Sequence, residues 1–369
     1  MASQLIDPIA LALSPSGVAA RQAACAPRAA VRVGMLINGR ARQITNAKHR
    51  TALLSVLGDE AAAVETPDLA SVRRALAHLL CVRGANVLAI AGGDGTLHHA
   101  VNALIALTTE AFVLTGVQPE MPRLLILNGG TLNIVGRTVA IHGPPLRTLQ
   151  KFLADFGGSP LSRVPARRLS LLEVRSNGAS PRFGFVFGSE VAYHALELYG
   201  RFGAGYGGLA RFLFEFARGA YFGSALWRQE GWKMGPYAST LEIDGEKFER
   251  YTGVCASTVD LTLAIAAVRT IRRPLLQPGF AVRLVQAVEA QQIVRLIPAL
   301  MSERGGFGVR DFAEAHHLSL CGPYTLDGEC FHEPALDSRQ LSLDVSLSAQ
   351  RLYAVPGDSE AVKYSFHSC

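Results

Sequence analysis

Three nearly continuous apolar runs limit what this chain can fold into more than any other feature. They are "VRVGMLIN" (31–38), "NVLAIA" (86–91) and "PRLLILNGGT" (122–131). A strand with one wet face alternates apolar and polar residues, whereas a strand that is apolar throughout is covered on both faces. Helical spacing fills the gaps between the runs. "TNAKHRTALLSVLG" (45–58) ends at Gly58, and "PDLASVRRALAHLLCVRG" (67–84) has Pro67 at its start and Gly84 at its end. A further helix is expected from about Thr96 to Leu107, another over "PLRTLQKFLADFG" (145–157), and a short strand over "AAAVET" (61–66). This alternation predicts an α/β domain over 31–158 with a mostly parallel sheet. Ligands of such sheets lie beyond the carboxyl ends of the strands. Polar or glycine-rich ends gather there at 38–42, 92–96 and 128–133.

The second half has a different rhythm. "RRLSLLEVRS" (167–176), "PRFGFVFG" (181–188), "STLEIDGEKFERYTGVCAS" (239–257), "FAVRLVQA" (280–287), "HLSLCGPYTLDGE" (317–329) and "QLSLDVSLS" (340–348) are short runs separated by turn residues. They predict a β-rich antiparallel sandwich over 159–356, interrupted by helical insertions at 196–220 and about 288–301. The Gly/Ser/Pro cluster "GGSPLS" (157–162) marks the boundary. Two domains suit 369 residues, since single cores rarely grow past ~250–300 residues. The Ala/Pro-rich residues 1–30 read as a disordered leader and 357–369 as a tail.

Composition narrows the function classes. The formal charge of +6 favours anionic partners, but no basic block with interleaved aromatics points to nucleic acid. Six cysteines without a CxxC pair argue against a disulfide framework and for a reduced cytoplasm. "VDLTLAIAAVRT" (259–270) is too short and too charged for a membrane span.

"AGGDGTLHH" (91–99) is the most informative turn. Bare glycine backbone brings N–H groups close to a ligand, and a helix starting there points its positive end the same way. Phosphate is the natural occupant. Asp94 would repel it unless Mg²⁺, held through water, lies between them. The loop is neither the GxGxxG fingerprint nor a Walker loop, which carries a lysine. The plain alternative is a tight turn with Asp94 as a helix cap. "NGGTLN" (128–133) supplies a second such turn, and "DGE" occurs twice, at 244–246 and 327–329.

"GGDGT" (92–96) with Asn102 on the following helix, then "LNGGTLN" (127–133) and the late "YTLDGE" (324–329), resembles the diacylglycerol kinase catalytic-domain family, which includes bacterial lipid kinases and sphingosine and ceramide kinases. The family's Asn-Pro-x-x-Gly-like first turn is matched by Asn38 and "GRAR", without the proline. The resemblance implies transfer of the ATP γ-phosphoryl group to a lipid hydroxyl, with Mg²⁺ and a nucleotide cleft between an α/β and a β-rich domain. It implies nucleotide contacts at Asn38, Gly39, Arg40, Ala41, Arg42, Thr66, Gly92, Gly93, Asp94, Gly95, Thr96, Leu97, His98, Thr131 and Asn133, with Asp94 on the Mg²⁺ side. The carboxylates of Asp327 and Glu329 would serve as base or metal contact. A base helps because an alcohol is a poor nucleophile. A hairpin turn accounts for the Asp327–Glu329 pair equally well. The lipid acceptor implies work at a membrane, peripheral at its inner face.

Several positions depart from the family. Ile134 stands where bacterial lipid kinases usually have an acid, a loss shared with sphingosine kinases. His99 stands where a Glu is common. The stretch 269–279 carries no acid where some bacterial members place a structural Mg²⁺, so that second metal site is expected to be absent. These departures point to an altered acceptor or a weak enzyme. NAD kinases share a GGDGT loop, so a soluble-nucleotide kinase is a rival reading, though the Asn-Glu pair that holds their substrate ribose is missing. A nucleotide-binding regulatory protein without turnover is another. The segment 196–223 mixes aromatics with Arg201, Arg211 and Arg218; its spacing favours an ordinary packed helix with a solvated basic face over a membrane-surface helix.

Overall fold

The computed structural model describes residues 7–41, 43–58, 62–177, 179–203, 206–237, 239–263, 268–271, 278–289, 306–332 and 341–357, with residues 292, 295, 299 and 302. Arg42, residues 272–277, most of the expected helix over 288–301, and the tail from 358 onward lie outside the described residues. The chain forms two compact units, Met1–Leu169 with Gln350–Cys369, and Ser170–Ala349.

The first unit opens with two helices, α1 (Pro8–Ala12) and α2 (Pro15–Ala24), where composition predicts a disordered leader. Each starts at a capped proline: Asp7 accepts from the Ile9 N–H and Ser14 from the Gly17 N–H. Ala12, Val18 and Arg21 are buried. The Arg21 guanidinium donates to Thr108 Oγ1 at 3.2 Å and to the Glu120 carbonyl at 3.0 Å. Asn86, fully buried, accepts from the Arg32 N–H and donates to the carbonyls of Ala24 and Ala30. Composition is blind to such long-range anchors, and they order the segment.

The alternating elements follow: β1 (Val33–Ile37), α3 (Ala47–Leu57), β2 (Ala63–Glu65), α4 (Leu69–Ala77), β3 (Val87–Gly92), α5 (Asp94–Thr115), β4 (Arg123–Asn128), α6 (Ile134–Thr138), α7 (Pro145–Phe156) and β5 (Arg167–Leu169). Strands β2, β1, β3 and β4 pair in parallel, in that order. Helices α3 and α7 cover one face through Leu53, Leu149 and Phe152, which pack on Met35, Ile37, Ala89 and Leu125. Helix α5 packs on β3, and α4 on β1. Two helix bounds differ from the spacing. Asp68 caps α4 by accepting from the Ser71 N–H, so Pro67 precedes the cap. Helix α5 starts two residues earlier and runs to Thr115, where Gly116 (φ 70°) ends it. Its last turn exposes Phe112, Val113 and Leu114, which blurs the periodicity. Among the described residues α5 is the one helix long and apolar enough to cross a membrane; half of its most apolar window is buried in this unit.

The second unit begins with β6 (Leu172–Ser176), β7 (Arg182–Gly184) and β8 (Val186–Glu190). Three helices follow, α8 (Val191–Tyr199), α9 (Tyr206–Phe222) and α10 (Ala225–Glu230). Then come β9 (Leu241–Ile243), β10 (Glu246–Phe248), β11 (Tyr251–Ser257), β12 (Leu261–Leu263), β13 (Val268–Ile271), β14 (Phe280–Gln286), β15 (Val309–Ala315), β16 (His317–Cys321), β17 (Tyr324–Leu326), β18 (Glu329–Phe331) and β19 (Ser342–Leu347). Two antiparallel sheets, β10-β9-β16-β19-β6-β7 and β15-β14-β11-β8-β17-β18, share one core. Leu172, Ile243, Leu320 and Val345 from the first meet Phe187, Val254, Leu284 and Leu326 from the second. This is the antiparallel sandwich that the short alternating runs predict. Three of those runs each feed both sheets, and "STLEIDGEKFERYTGVCAS" gives β9 and β10 to the first and β11 to the second. "PRFGFVFG" breaks at Phe185 between β7 and β8, and "HLSLCGPYTLDGE" breaks at Gly322 (φ 146°) between β16 and β17. Strand β15 has no run of its own in the sequence reading, because its charges hide it. Asp311 in β15 pairs with buried Arg283 in β14 at 2.7 and 2.8 Å.

After β19 the chain returns to the first unit as β20 (Leu352–Ala354), parallel to β4 and antiparallel to β5. The first sheet is therefore β2-β1-β3-β4-β20-β5. The boundary expected at 157–162 lies within this unit, which runs on to Leu169. "RRLSLLEVRS" reads as one strand but divides into β5 and β6, one for each unit. Three-residue strands such as β5 and β20 carry too little pattern to be read alone.

Candidate functional site

Parallel register brings the three expected strand ends level. Ile37 pairs with Ala91 and with Glu65, and Gly92 pairs with Asn128. Main-chain bonds continue past the strands: Asn38 N–H to the Ala91 carbonyl (2.9 Å), Gly129 N–H to Gly92 (2.8 Å), and Thr66 N–H to Ile37 (2.9 Å). The first turn folds back on itself. Asn38 Oδ1 accepts from the Arg40 N–H (2.9 Å), and the Asn38 carbonyl accepts from Ala41 (3.0 Å). Across the sheet, Asn38 Nδ2 donates to Thr96 Oγ1 at 2.8 Å. A Cβ on Gly39 would fall 2.1 Å from Glu65 Oε1 and displace the end of that side chain from its ion pair with Arg50.

The two glycine turns touch. A Cβ on Gly93 would lie 3.1 Å from Gly130 Cα, and one on Gly130 would lie 2.6 Å from Gly93 Cα. A Cβ on Gly92 would strike Thr96, and one on Gly129 would meet Ile44 and Gly92. None of these four glycines has a positive φ; backbone-to-backbone approach requires Gly93, Gly129 and Gly130, and the Thr96 side chain crowds Gly92. The second turn is held by Asn133 (φ 50°), whose Oδ1 accepts from the Gly130 N–H while its Nδ2 donates to the Gly130 carbonyl. Thr131 is half-buried beside it.

Helix α5 begins on Gly93 as N-cap, with no side-chain cap. Asp94 is thus the first helical residue and not the capping one. An uncapped first turn of a 22-residue helix presents N–H donors and a positive dipole end. Asp94, Gly95 and Thr96 are half-buried at this end, while Leu97 and His98 turn their side chains inward, 2% and 3% exposed. At these two positions only main chain is available to a ligand. The His98 carbonyl accepts from Asn102 Nδ2 at 2.9 Å. Arg40 is exposed at the rim.

Ile44 and Gln43, outside the motifs, and Asn128, at the head of "NGGTLN", complete the wall. Ile44, fully buried, lies under Gly129, and Gln43 N–H donates to the Gly129 carbonyl at 3.1 Å. Asn128, 6% exposed, donates to the Ile141 carbonyl and packs on Gly136, whose Cβ would fall 2.0 Å from Asn128 Oδ1. Asn128 lies in the glycine-rich strand end expected at 128–133, whereas nothing local signals Ile44. A cavity of about 270 Å³ in the same unit, lined by Leu125, Ile141, His142, Arg147, Lys151 and Phe152 among others, takes no residue from the glycine turns.

In the second unit the late DGE forms the β17–β18 hairpin. Leu326 pairs with Glu329, so Asp327 (φ 54°) and Gly328 (φ 89°) make a two-residue turn, both in the left-handed region as a type I′ turn requires. The Asp327 carboxylate reaches sideways. Its Oδ1 accepts from the N–H groups of Phe185 (2.8 Å) and Val186 (2.9 Å), and its own N–H donates to the Val186 carbonyl. Asp244 in the earlier DGE does the same: φ is 49°, Oδ1 accepts from His316 and His317, and its N–H donates to His317. The two copies of the motif are one structural device, a hairpin whose Asp pins the adjacent strand. Glu329 is half-buried on the outgoing strand of its hairpin.

Metal fit can be judged from the donors. Among the described residues no three His, Cys, Asp or Glu side chains converge on a point. A single carboxylate at an uncapped helix start suits Mg²⁺ carried on phosphate oxygens, since Mg²⁺ keeps its waters and takes few protein ligands.

Residues 32–155 match the family model described as the diacylglycerol kinase catalytic domain. No curated protein sequence matches the chain. Two solved structures of proteins provisionally described as diacylglycerol kinases, both from Bacillus anthracis str. Sterne, superpose with TM-scores of 0.59 and 0.58 at 14% identity. They cover 90% of this chain and 96% and 98% of their own. A third, a diacylglycerol kinase from the same organism, gives 0.54 at 13% identity over 90% and 98%. The chain therefore carries the catalytic-domain signature of the diacylglycerol kinases over residues 32–155, and it shares the fold of these three structures over nine-tenths of its length.

Proposed function

We propose that this protein is an ATP-dependent lipid kinase, transferring the γ-phosphoryl group to a lipid hydroxyl with Mg²⁺. The observation that carries the reading is the contact between the turns of Gly93 and Gly130, beside the uncapped start of α5, inside the segment that matches a kinase catalytic domain. Phosphoryl transfer needs positioning and charge neutralisation more than covalent chemistry. Main-chain N–H groups of the two turns would hold phosphate oxygens. Asp94 would hold a water of the Mg²⁺ that neutralises them, and Arg40 would add positive charge at the rim. The Asn38–Thr96 bond fixes the first turn against α5.

The DGE carboxylates divide their work in this reading. Asp327 spends Oδ1 on two main-chain donors and so holds the hairpin, which leaves Glu329 as the proton acceptor. The product leaves as a phosphorylated lipid, and the place of action is a membrane face.

Purified protein, γ-labelled ATP and a total lipid extract test the proposal. An organic-soluble labelled product that requires Mg²⁺ is expected. Label on added NAD alone would replace the lipid acceptor with a soluble nucleotide. ATP binding without transfer to either would make the protein a nucleotide-binding regulator.

A further inference from the structure

The helical insertion of the second unit has two faces with different chemistry. Phe212 and Phe216 of α9 are buried in a small separate core with Leu198 and Met234, flanked by Phe202 and Trp227. This is the packed helix that its spacing predicts. The opposite face is not polar. At 3.6 residues per turn Arg211, Phe214, Arg218, Tyr221 and Phe222 fall on one arc about a quarter-turn wide. All five are exposed, Phe214 by 65%, Tyr221 by 62% and Phe222 by 85%. Three exposed aromatics on one arc exceed the scattered apolar residues normal for a surface. The stretch Val191–Met234 holds five basic and three acidic side chains.

We infer that this face of α9 is a docking surface for an anionic lipid bilayer. Aromatic rings interleaved with arginines on one arc, backed by an apolar core, suit a helix lying in the plane of a membrane interface. Arg211 would meet lipid phosphates, joined by Arg218 as it exchanges its 2.9 Å ion pair with Glu215 for a phosphate, while the rings enter the headgroup–acyl boundary. Charge complementarity favours the bilayer over a second copy of the chain, because two such faces would set arginines against arginines. The inference rests on the lipid-kinase reading for its purpose but can be tested apart from it.

Vesicle flotation of the full chain is the test. Binding is expected to vesicles of phosphatidylcholine with phosphatidylglycerol, and to be weaker on phosphatidylcholine alone. Joint Phe214→Ser, Tyr221→Ser and Phe222→Ser substitutions should reduce binding at least tenfold. Joint Arg211→Glu and Arg218→Glu, which keep the rings, should remove the preference for the anionic lipid. All changes are on exposed positions, and unfolding midpoints equal to the parent's exclude misfolding. Absence of binding by the parent protein, or equal binding by the serine variant, overturns the inference. So does a parent dimer that the serine variant dissociates without any vesicle binding. Transfer by the parent protein to a water-dispersed short-chain diacylglycerol is read separately. Its failure counts against the kinase reading and leaves the vesicle result standing.

Discussion

Gly93 and Gly130, from turns 37 residues apart in the chain, are packed so closely that a Cβ on Gly130 would come within 2.6 Å of Gly93 Cα. The atom it would strike is backbone and cannot swing away. Gly130→Ala should therefore push the two turns apart, at a cost of about 1–3 kcal/mol, and lower phosphoryl transfer by at least a hundredfold. Gly93→Ala places its Cβ at 3.1 Å and should be the milder change. Urea unfolding midpoints and initial rates on both variants check the order; a harmless Gly130→Ala would refute the close-packed wall.

Asp327→Asn and Glu329→Gln should fail differently. The first weakens the charge-assisted acceptor of the Phe185 and Val186 N–H groups, so stability should fall by about 1–3 kcal/mol together with turnover. The second should lower kcat by a factor of about 10²–10⁴ while the unfolding midpoint stays within a degree or two of the parent's. An Asp327→Asn protein of full stability and no activity would move the base to Asp327.

The N-terminal helices are held by a buried cation. Burial lowers the Arg21 pKa, and its guanidinium still holds Thr108 and Glu120. Arg21→Ala should cost about 2–4 kcal/mol by leaving a void and unpaired acceptors. Exposed Arg28→Ala should stay within about 0.5 kcal/mol. Chemical denaturation separates them, and an Arg21→Ala cost as small as that of Arg28→Ala would show that the guanidinium does not anchor the segment.

His194 in α8 sets a pH dependence. Burial lowers its pKa from the usual 6.5, opposed in part by its bond to Glu197, while Lys233 also lowers it. The unfolded chain then takes up the proton first as pH falls. The stabilising contribution is complete above about pH 6.5 and is lost progressively as the pH drops from there toward the folded pKa. Melting midpoints between pH 7.5 and 5 should fall more steeply for the parent than for His194→Gln. Parallel curves would assign the acid sensitivity to other groups.

Much of the fold can be read along the chain. The apolar runs of β1, β3 and β4 and the helical spacing between them announce a parallel sheet, and the glycines announce its ligand edge. The sandwich is visible in the short runs of the second half. What escapes reading are short or charged strands, β5, β15 and β20, whose identity rests on pairing partners far away.

The sequence by itself determined β1 to β4 of the parallel sheet with α3, α4, α5 and α7 between and after them, the two glycine turns and the family resemblance they carry, because these depend on local periodicity and on residues without side chains. Tertiary structure alone decided the rest. It brought Gly93 against Gly130, ordered the apparent leader through Arg21 and Asn86, and returned β20 to the first sheet. It also turned the late DGE into a hairpin whose Asp pins β8. Each of these is a contact between residues distant in sequence, and the free energy that selects it comes from burial and hydrogen bonds that exist only once both partners are in place.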